Sequence, residues 1–263
     1  MVFKHNLFST TMILGNQLNN KSLVLSFDDG PNNDTTPLLL DALKKHNVKA
    51  IFFLVGANMD NGALLNRMIN EGHILGSHSF SHAHLTTITK EELANEVAKV
   101  EDLFVKHIGD RPFFFRPPFG ETNVTVNNYL QQQGYISIGW NIDTLDWKQH
   151  TPFQVFDHAT NILSRRRRGG IVLMHEYKWT TEAQSIFLPA AKDMGFEFVD
   201  PLTMLGKHQL ERLQAETCEY HECSRTRPWC PCSYMSYYAL VLSMLICYVV
   251  YRNKPKRRKV KNV

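Results

Sequence analysis

An α/β fold, in which a parallel sheet closes into a barrel with helices between its strands, is predicted by two patterns. From Lys21 to about Leu205, short apolar runs alternate with amphipathic stretches about seven times in series. Most of those runs end in Gly, Pro or polar residues of the kinds that catalyse, as expected where strands deliver side chains to one end of a barrel. The 263 residues, 43% of them hydrophobic and without a visible repeat, suit one large domain plus a small appendage.

Residues 1–20 read as a weak signal or anchor-like segment. Lys4 and His5 precede an apolar run, but Ser9, Thr10 and Thr11 interrupt it and no small-x-small cleavage site follows. The barrel, 21–205, opens with a strand over Lys21–Phe27, and Gly30-Pro31 then leaves Asp28 and Asp29 at the strand's C-terminal end. Thr36–Lys45 is a predicted helix with Leu39, Leu40 and Leu43 on one stripe, and Lys49–Val55 a strand ended by Gly56. Leu64–Asn70 is a helix stopped by Gly72, and His73–Gly76 a short strand. Lys90–His107 is a long helix with Leu93, Val97, Val100 and Phe104 on one face. Further strands are expected at Phe113–Phe115, Tyr135–Asn141, Ile171–Met174 and Phe196–Val199, with helices near 124–132, 153–166 and 181–193. Arg165–Arg168 before Gly169-Gly170 reads as the solvated last turn of a helix rather than a phosphate cluster, since cations suit that end of the dipole and Gly caps it.

Charge and cysteine are unevenly placed. The formal +4 comes from a tail, 252–263, which holds seven basic residues and no acid; residues 1–251 carry 22 basic against 25 acidic groups, a net of −3. A nucleic-acid partner is therefore not expected, because the excess basic charge is a tail rather than a face of the fold. All five cysteines fall at or after Cys218, and Cys218, Cys223, Cys230 and Cys232 mark 206–233 as a Cys-rich juxtamembrane linker. They could pair as disulfides in an oxidising compartment or, with His221, form a zinc knuckle, though their spacing matches no usual ligand pattern. Residues 234–251 are eighteen uncharged residues with tyrosines at both ends. As a helix they would span roughly 27 Å, which fits a single transmembrane segment; a buried core helix is the alternative. The basic tail favours a cytosolic C-terminus with the barrel extracellular or lumenal. If residues 1–20 direct no export, the alternative is a tail anchor with a cytosolic barrel.

The strand ends carry the chemistry. Neighbours on an extended backbone point opposite ways, so Asp28 and Asp29 are expected to divide their labour, one binding a metal and one handling a proton. His78 and His82, four apart on a helical turn, would face the same way and, with a carboxylate, leave a metal position open for water. Arg116 lies in the rigid turn Arg116-Pro117-Pro118-Phe119-Gly120; Asp143-Thr144-Leu145-Asp146-Trp147 and Leu173-Met174-His175-Glu176 follow two later strands. A metal that activates water, a carboxylate that takes a proton and a histidine that gives one together make up the parts of a hydrolytic site.

In this order, Phe-Asp-Asp-Gly-Pro, His-Ser-x-x-His, Arg-x-Pro-aromatic-Gly, Asp-x-x-Asp-Trp and Leu-x-His resemble the five signatures of the polysaccharide deacetylases of carbohydrate esterase family four. The resemblance implies a distorted (β/α)7 barrel and metal-dependent removal of N-acetyl groups from an N-acetylglucosamine polysaccharide of the chitin type. Peptidoglycan deacetylation, or sugar binding without catalysis, are the alternatives. It implies Asp29, His78 and His82 as metal ligands, Asp28 as general base positioned by Arg116, and His175 as general acid oriented by Asp146 in preference to Asp143. Phe119, Trp147 and Leu173 would wall the acetyl pocket; Phe119 stands where the family often has Tyr, and Ile51 where it often has Thr. Zinc is the default metal for two histidines and a carboxylate, and cobalt or nickel would fit the same ligands. No obligate protein partner is implied.

Overall fold

The computed structural model describes residues 12–16, 18 and 21–204, all within the first of two units of the chain, Met1–Met204. The Cys-rich linker, the apolar segment 234–251 and the basic tail lie outside the described residues. Among the described residues no helix is long and apolar enough to cross a membrane.

The sheet is built on β1 (Ser22–Asp28), whose Leu23, Val24, Leu25 and Phe27 are wholly buried. A strand covered on both faces needs this near-continuous apolar sequence rather than alternation. β2 (Ala50–Leu54), β3 (Ile74–Ser77), β4 (Phe114–Phe115) and β5 (Ile136–Ser137) follow on one side of it, and β7 (Gly170–His175) and β6 (Ile142–Asp143) on the other. β8 (Glu197–Phe198) pairs with the start of β1, and every named pairing is parallel. Register aligns the C-terminal ends: Asp28 lies beside Phe53 of β2 and beside His175 of β7.

Helices α1 (Thr36–Lys45), α2 (Gly62–Asn70), α3 (Lys90–Ile108), α4 (Val124–Gln132), α5 (Pro152–Ser164) and α6 (Lys178–Asp193) connect the strands. Most of their apolar stripes meet the sheet in a core that takes Leu39, Leu40 and Leu43 from α1 and Phe187 and Leu188 from α6, while Val126 and Leu130 of α4 pack with Leu93 and Val97 of α3 and Phe115 of β4 in a second cluster. α3 is delimited by its sequence, with a Thr89/Glu92 capping box at one end and Gly109 at φ 89° at the other.

Three expectations are corrected. The strand expected over Tyr135–Asn141 is only the two-residue β5, and β6 begins just beyond it; the two stand at opposite ends of the sheet, so the ring has a seam there instead of a closed ladder. The reason lies in Arg116. Its Nε donates to the Ile138 carbonyl at 3.1 Å and its Nη2 to the Gly139 carbonyl at 2.8 Å, so a guanidinium takes acceptors that a neighbouring strand would otherwise use. Ile13 bridges to Ile138 on the same seam, donating to the Ser137 carbonyl at 2.9 Å and accepting from Gly139 N at 2.8 Å, so the packed unit begins ahead of Lys21. Finally, α5 ends at Ser164, and Arg166–Arg168 lie beyond it; Arg166 binds the carbonyls of Asn141, Arg168 and Gly169.

Candidate active site

The end of β1 opens on a cleft of about 380 Å³ lined by Asp28, Asp29, His78, His82 and His175, with Phe119, Trp147 and Leu173 around them. Asp28 is 3% exposed and its Oδ1 accepts from Arg116 Nη1 at 2.7 Å. Arg116 is itself wholly buried, binds Ser26 Oγ at 2.9 Å, and lies with its guanidinium carbon 4.1 Å from the centre of the Phe53 ring. All its polar contacts are thus to fixed groups, and the carboxylate it holds cannot rotate away. Burial pushes the Asp28 carboxyl up, while the charges of Arg116 and His175 oppose that rise.

Asp29 leaves the strand. Its backbone turns to φ 72°, which swings its carboxylate toward two imidazoles: Oδ1 is 3.3 Å from His82 Nε2 and 3.7 Å from His78 Nε2. The donor atoms of Asp29, His78 and His82 all lie within 4.8 Å of one another. His78 Nδ1 meets the Arg116 carbonyl at 2.6 Å; a carbonyl only accepts, so Nδ1 carries the proton and Nε2 keeps its lone pair for the cleft. Burial lowers the His78 pKa to about 3, against the pull of Asp29, and the ring stays neutral. The two histidines are not on a helical turn as the spacing suggested. Ser79 at φ 63° and His82 at φ 59° fold the segment back, and the rings meet with centroids 4.9 Å apart.

On the other wall, Asp146 Oδ1 meets His175 Nδ1 at 2.8 Å, and its Oδ2 accepts from His175 N and Thr180 Oγ1, each at 2.7 Å. An ionised carboxylate only accepts, so Nδ1 is protonated and Nε2 is left to the cleft. Burial alone would lower His175; the hydrogen bond and charge of Asp146, joined by Asp28 and Asp29, outweigh it and raise the pKa to about 9. Asp143 instead accepts from Leu145 N, closing a turn in which Leu145 takes φ 50°.

Leu173 is buried, whereas Phe119 is 50% exposed, held at φ 60° between the edge of His82 and the face of His84. Three residues in or behind this cleft were not found in the sequence. Trp140 lies on the seam inside an expected strand; Tyr177 stacks on His175 with centroids 5.4 Å apart, and Trp179 stacks on Tyr177 while donating to the Asp146 carbonyl at 3.0 Å. The alternation His175, Tyr177, Trp179 directly after a strand was the available signal.

The polysaccharide deacetylase family model matches residues 15–138. The peptidoglycan-N-acetylglucosamine deacetylase of Bacillus cereus is 34% identical over 187 residues, covering 69% of this chain and 67% of that protein. The chain belongs to the polysaccharide deacetylase family. A second relative, the peptidoglycan-N-acetylglucosamine deacetylase PgdA of Listeria monocytogenes, is 39% identical over 182 residues, 68% of this chain but only 38% of that longer protein. The fold of this polysaccharide deacetylase domain also matches the solved chitin deacetylase of the fungal pathogen Colletotrichum lindemuthianum, with a TM-score of 0.70, 26% identity, and coverage of 76% of this chain and 93% of that one. The family match ends at Ile138, on the seam, so Asp146 and His175 lie beyond it.

Proposed function

We propose that the barrel removes N-acetyl groups from an N-acetylglucosamine-containing wall polysaccharide, with Asp28 as general base and His175 as general acid. One observation carries the reading: Asp28 and His175 line the same cleft beside the Asp29, His78 and His82 cluster, each fixed by a partner of its own. Peptidoglycan is the polymer placed first, because relatives named for it align with most of the barrel; chitin is second, supported by the likeness to the fungal enzyme.

The residues present fit a divalent ion. Asp29 Oδ1 is buried with no hydrogen-bond partner, and the two imidazoles offer lone pairs beside it. Asp29, His78 and His82 would hold the metal, zinc by preference, with cobalt or nickel alternatives for the same donors. When bound, it supplies Lewis acidity to the acetamide carbonyl and to water. Asp28 takes the proton of the attacking water, and Arg116 favours the carboxylate form that can do so. His175, held protonated by Asp146, gives its Nε2 proton to the departing nitrogen. Phe119, Trp147 and Leu173 wall the acetyl group and keep it in line with both.

The test is acetate release from peptidoglycan fragments, chitooligosaccharides and small acetylated esters, with zinc removed and restored. Metal-dependent release is expected, together with loss of bound metal in His78→Ala and His82→Ala that still fold. A metal-loaded barrel that binds these sugars and releases no acetate would instead be a sugar-binding protein. We also propose that 234–251 anchors the chain with the barrel outside the cytosol, as its length and basic flank support. Added protease should reach the barrel but not the tail in intact cells; the reverse pattern ends that reading.

A further inference from the structure

Glu176 follows the general acid in sequence and takes no part in the chemistry above, yet it is 6% exposed and its Oε1 has no hydrogen-bond partner. A carboxyl so buried needs a reason. Its surroundings supply one. Oε2 accepts from Thr36 Oγ1, and the same hydroxyl accepts from Asn32 N at 2.8 Å. The Glu176 carbonyl accepts from Thr35 Oγ1 at 2.9 Å, and its N–H donates to the Asp28 carbonyl at 3.3 Å. The carboxyl also lies directly against Gly30, where a Cβ would overlap it. These contacts run along the loop after Asp28 and reach the residue next to Asp29, whose φ of 72° aims its carboxylate at the two histidines.

We infer that Glu176 is a positioning residue for the metal site: wedged against Gly30 and tied through Thr36 to Asn32, it sets the turn that aims the Asp29 carboxylate at His78 and His82. It rests on the metal reading above. It also explains why position 30 has room for no side chain, a requirement that the turn's φ alone does not impose, since Gly30 is not among the glycines at positive φ. The arrangement joins the strand that carries the acid to the loop that carries the ligand. Neither residue can shift without the other.

The experiment measures zinc affinity of the full chain by competition with a chromophoric chelator, with folding followed by circular dichroism. Glu176→Ala should weaken zinc binding by ~10–100-fold, the range typical of residues behind metal ligands. Glu176→Gln, which keeps the volume and an acceptor oxygen, should restore affinity close to that of the original protein. With enough zinc to fill the site, Glu176→Ala should recover most of its kcat with KM unchanged, a split that general loss of structure would not give. Should the alanine variant fail to fold, Thr36→Val cuts the same link and should also weaken zinc binding. A folded Glu176→Ala or Thr36→Val with undiminished affinity overturns the inference, as does Glu176→Gln falling as far as alanine. Absence of zinc binding by the unmutated chain would overturn the metal reading itself.

Discussion

Asp28 with Arg116 and His175 with Asp146 are both carboxylate-cation couples at the ends of neighbouring strands, but their environments differ. In the first the cation is walled in completely, every contact is to a fixed group, and the carboxylate is the member that reaches the cleft. In the second the carboxylate is walled in, held by Thr180 and the backbone of His175, and the imidazole reaches the cleft. On the mechanism proposed above, exchanging which partner is locked away would make one pairing the proton acceptor and the other the donor. The comparison shows how two acid-base groups so near each other can be kept in opposite states.

The largest effect that would break the comparison is on turnover. Asp28→Asn keeps size and cannot take a proton, and His175→Ala cannot give one, so each should lower acetamide hydrolysis by ~10²–10⁴-fold while leaving bound metal in place. An acetyl ester, whose alkoxide leaves more readily, should suffer less from losing His175 than from losing Asp28. Equal losses on both substrates in both variants would show that the couples are not specialised.

Next in size is the stability difference between the locked members. Arg116→Met strands a buried carboxylate and removes the guanidinium from the seam, so chemical denaturation should find a loss of about 3–5 kcal/mol, the cost typical of breaking a buried pair. Asp28→Asn, which leaves Arg116 three of its four hydrogen-bonding partners, should cost less. A reversed order would place the structural weight on the carboxylate.

The smallest effect sharpens the second couple. His175 has a pKa of about 9 in the fold against 6.5 free, so its stabilisation is complete below pH 6.5 and lost as pH rises through 9. That rise corresponds to on the order of 3 kcal/mol. Glu176 is raised for a different reason, its burial, from 4.5 to about 8, so its contribution also fades as pH rises. Metal-free chain should therefore melt at lower temperature at pH 9 than at pH 6.5, and Asp146→Asn should remove the part due to His175. A melting temperature flat across that window, or one unaffected by Asp146→Asn, would show that the imidazole gains nothing from its partner.

The parts of this molecule legible in the sequence are those whose information is local. β1, β2 and β7 are apolar runs long enough to identify, and α3 announces both its ends with Thr89, Glu92 and Gly109. β5 and β6 are two residues each, too short to carry a period, and what separates them is a guanidinium from a turn more than twenty residues earlier. The site divides the same way. Residue types and order at the strand ends were readable, whereas the backbone reversals at Ser79 and His82 that bring the imidazoles together were not, because neither residue is a glycine. Glu176 was invisible as a contact of Gly30 for a simpler reason: nearly the whole length of the barrel separates them in the chain.

Asp29, Ser79, His82, Phe119 and Leu145 all occupy the left-handed region without being glycine; Asp29, His82 and Phe119 line the cleft, and Ser79 and Leu145 belong to the segments that carry His78 and Asp146. Such a backbone costs roughly 1–3 kcal/mol per residue at its most strained. A laboratory selection for heat tolerance alone would consequently be drawn to these positions. Gly or Asn at any of them relaxes the chain, but only at Ser79 and Leu145 does the exchange spare a side chain that lines the cleft. Thermostable descendants chosen without a sugar in the screen would thus accumulate changes at the proposed metal site, and stability and turnover would part company first at Asp29 and His82.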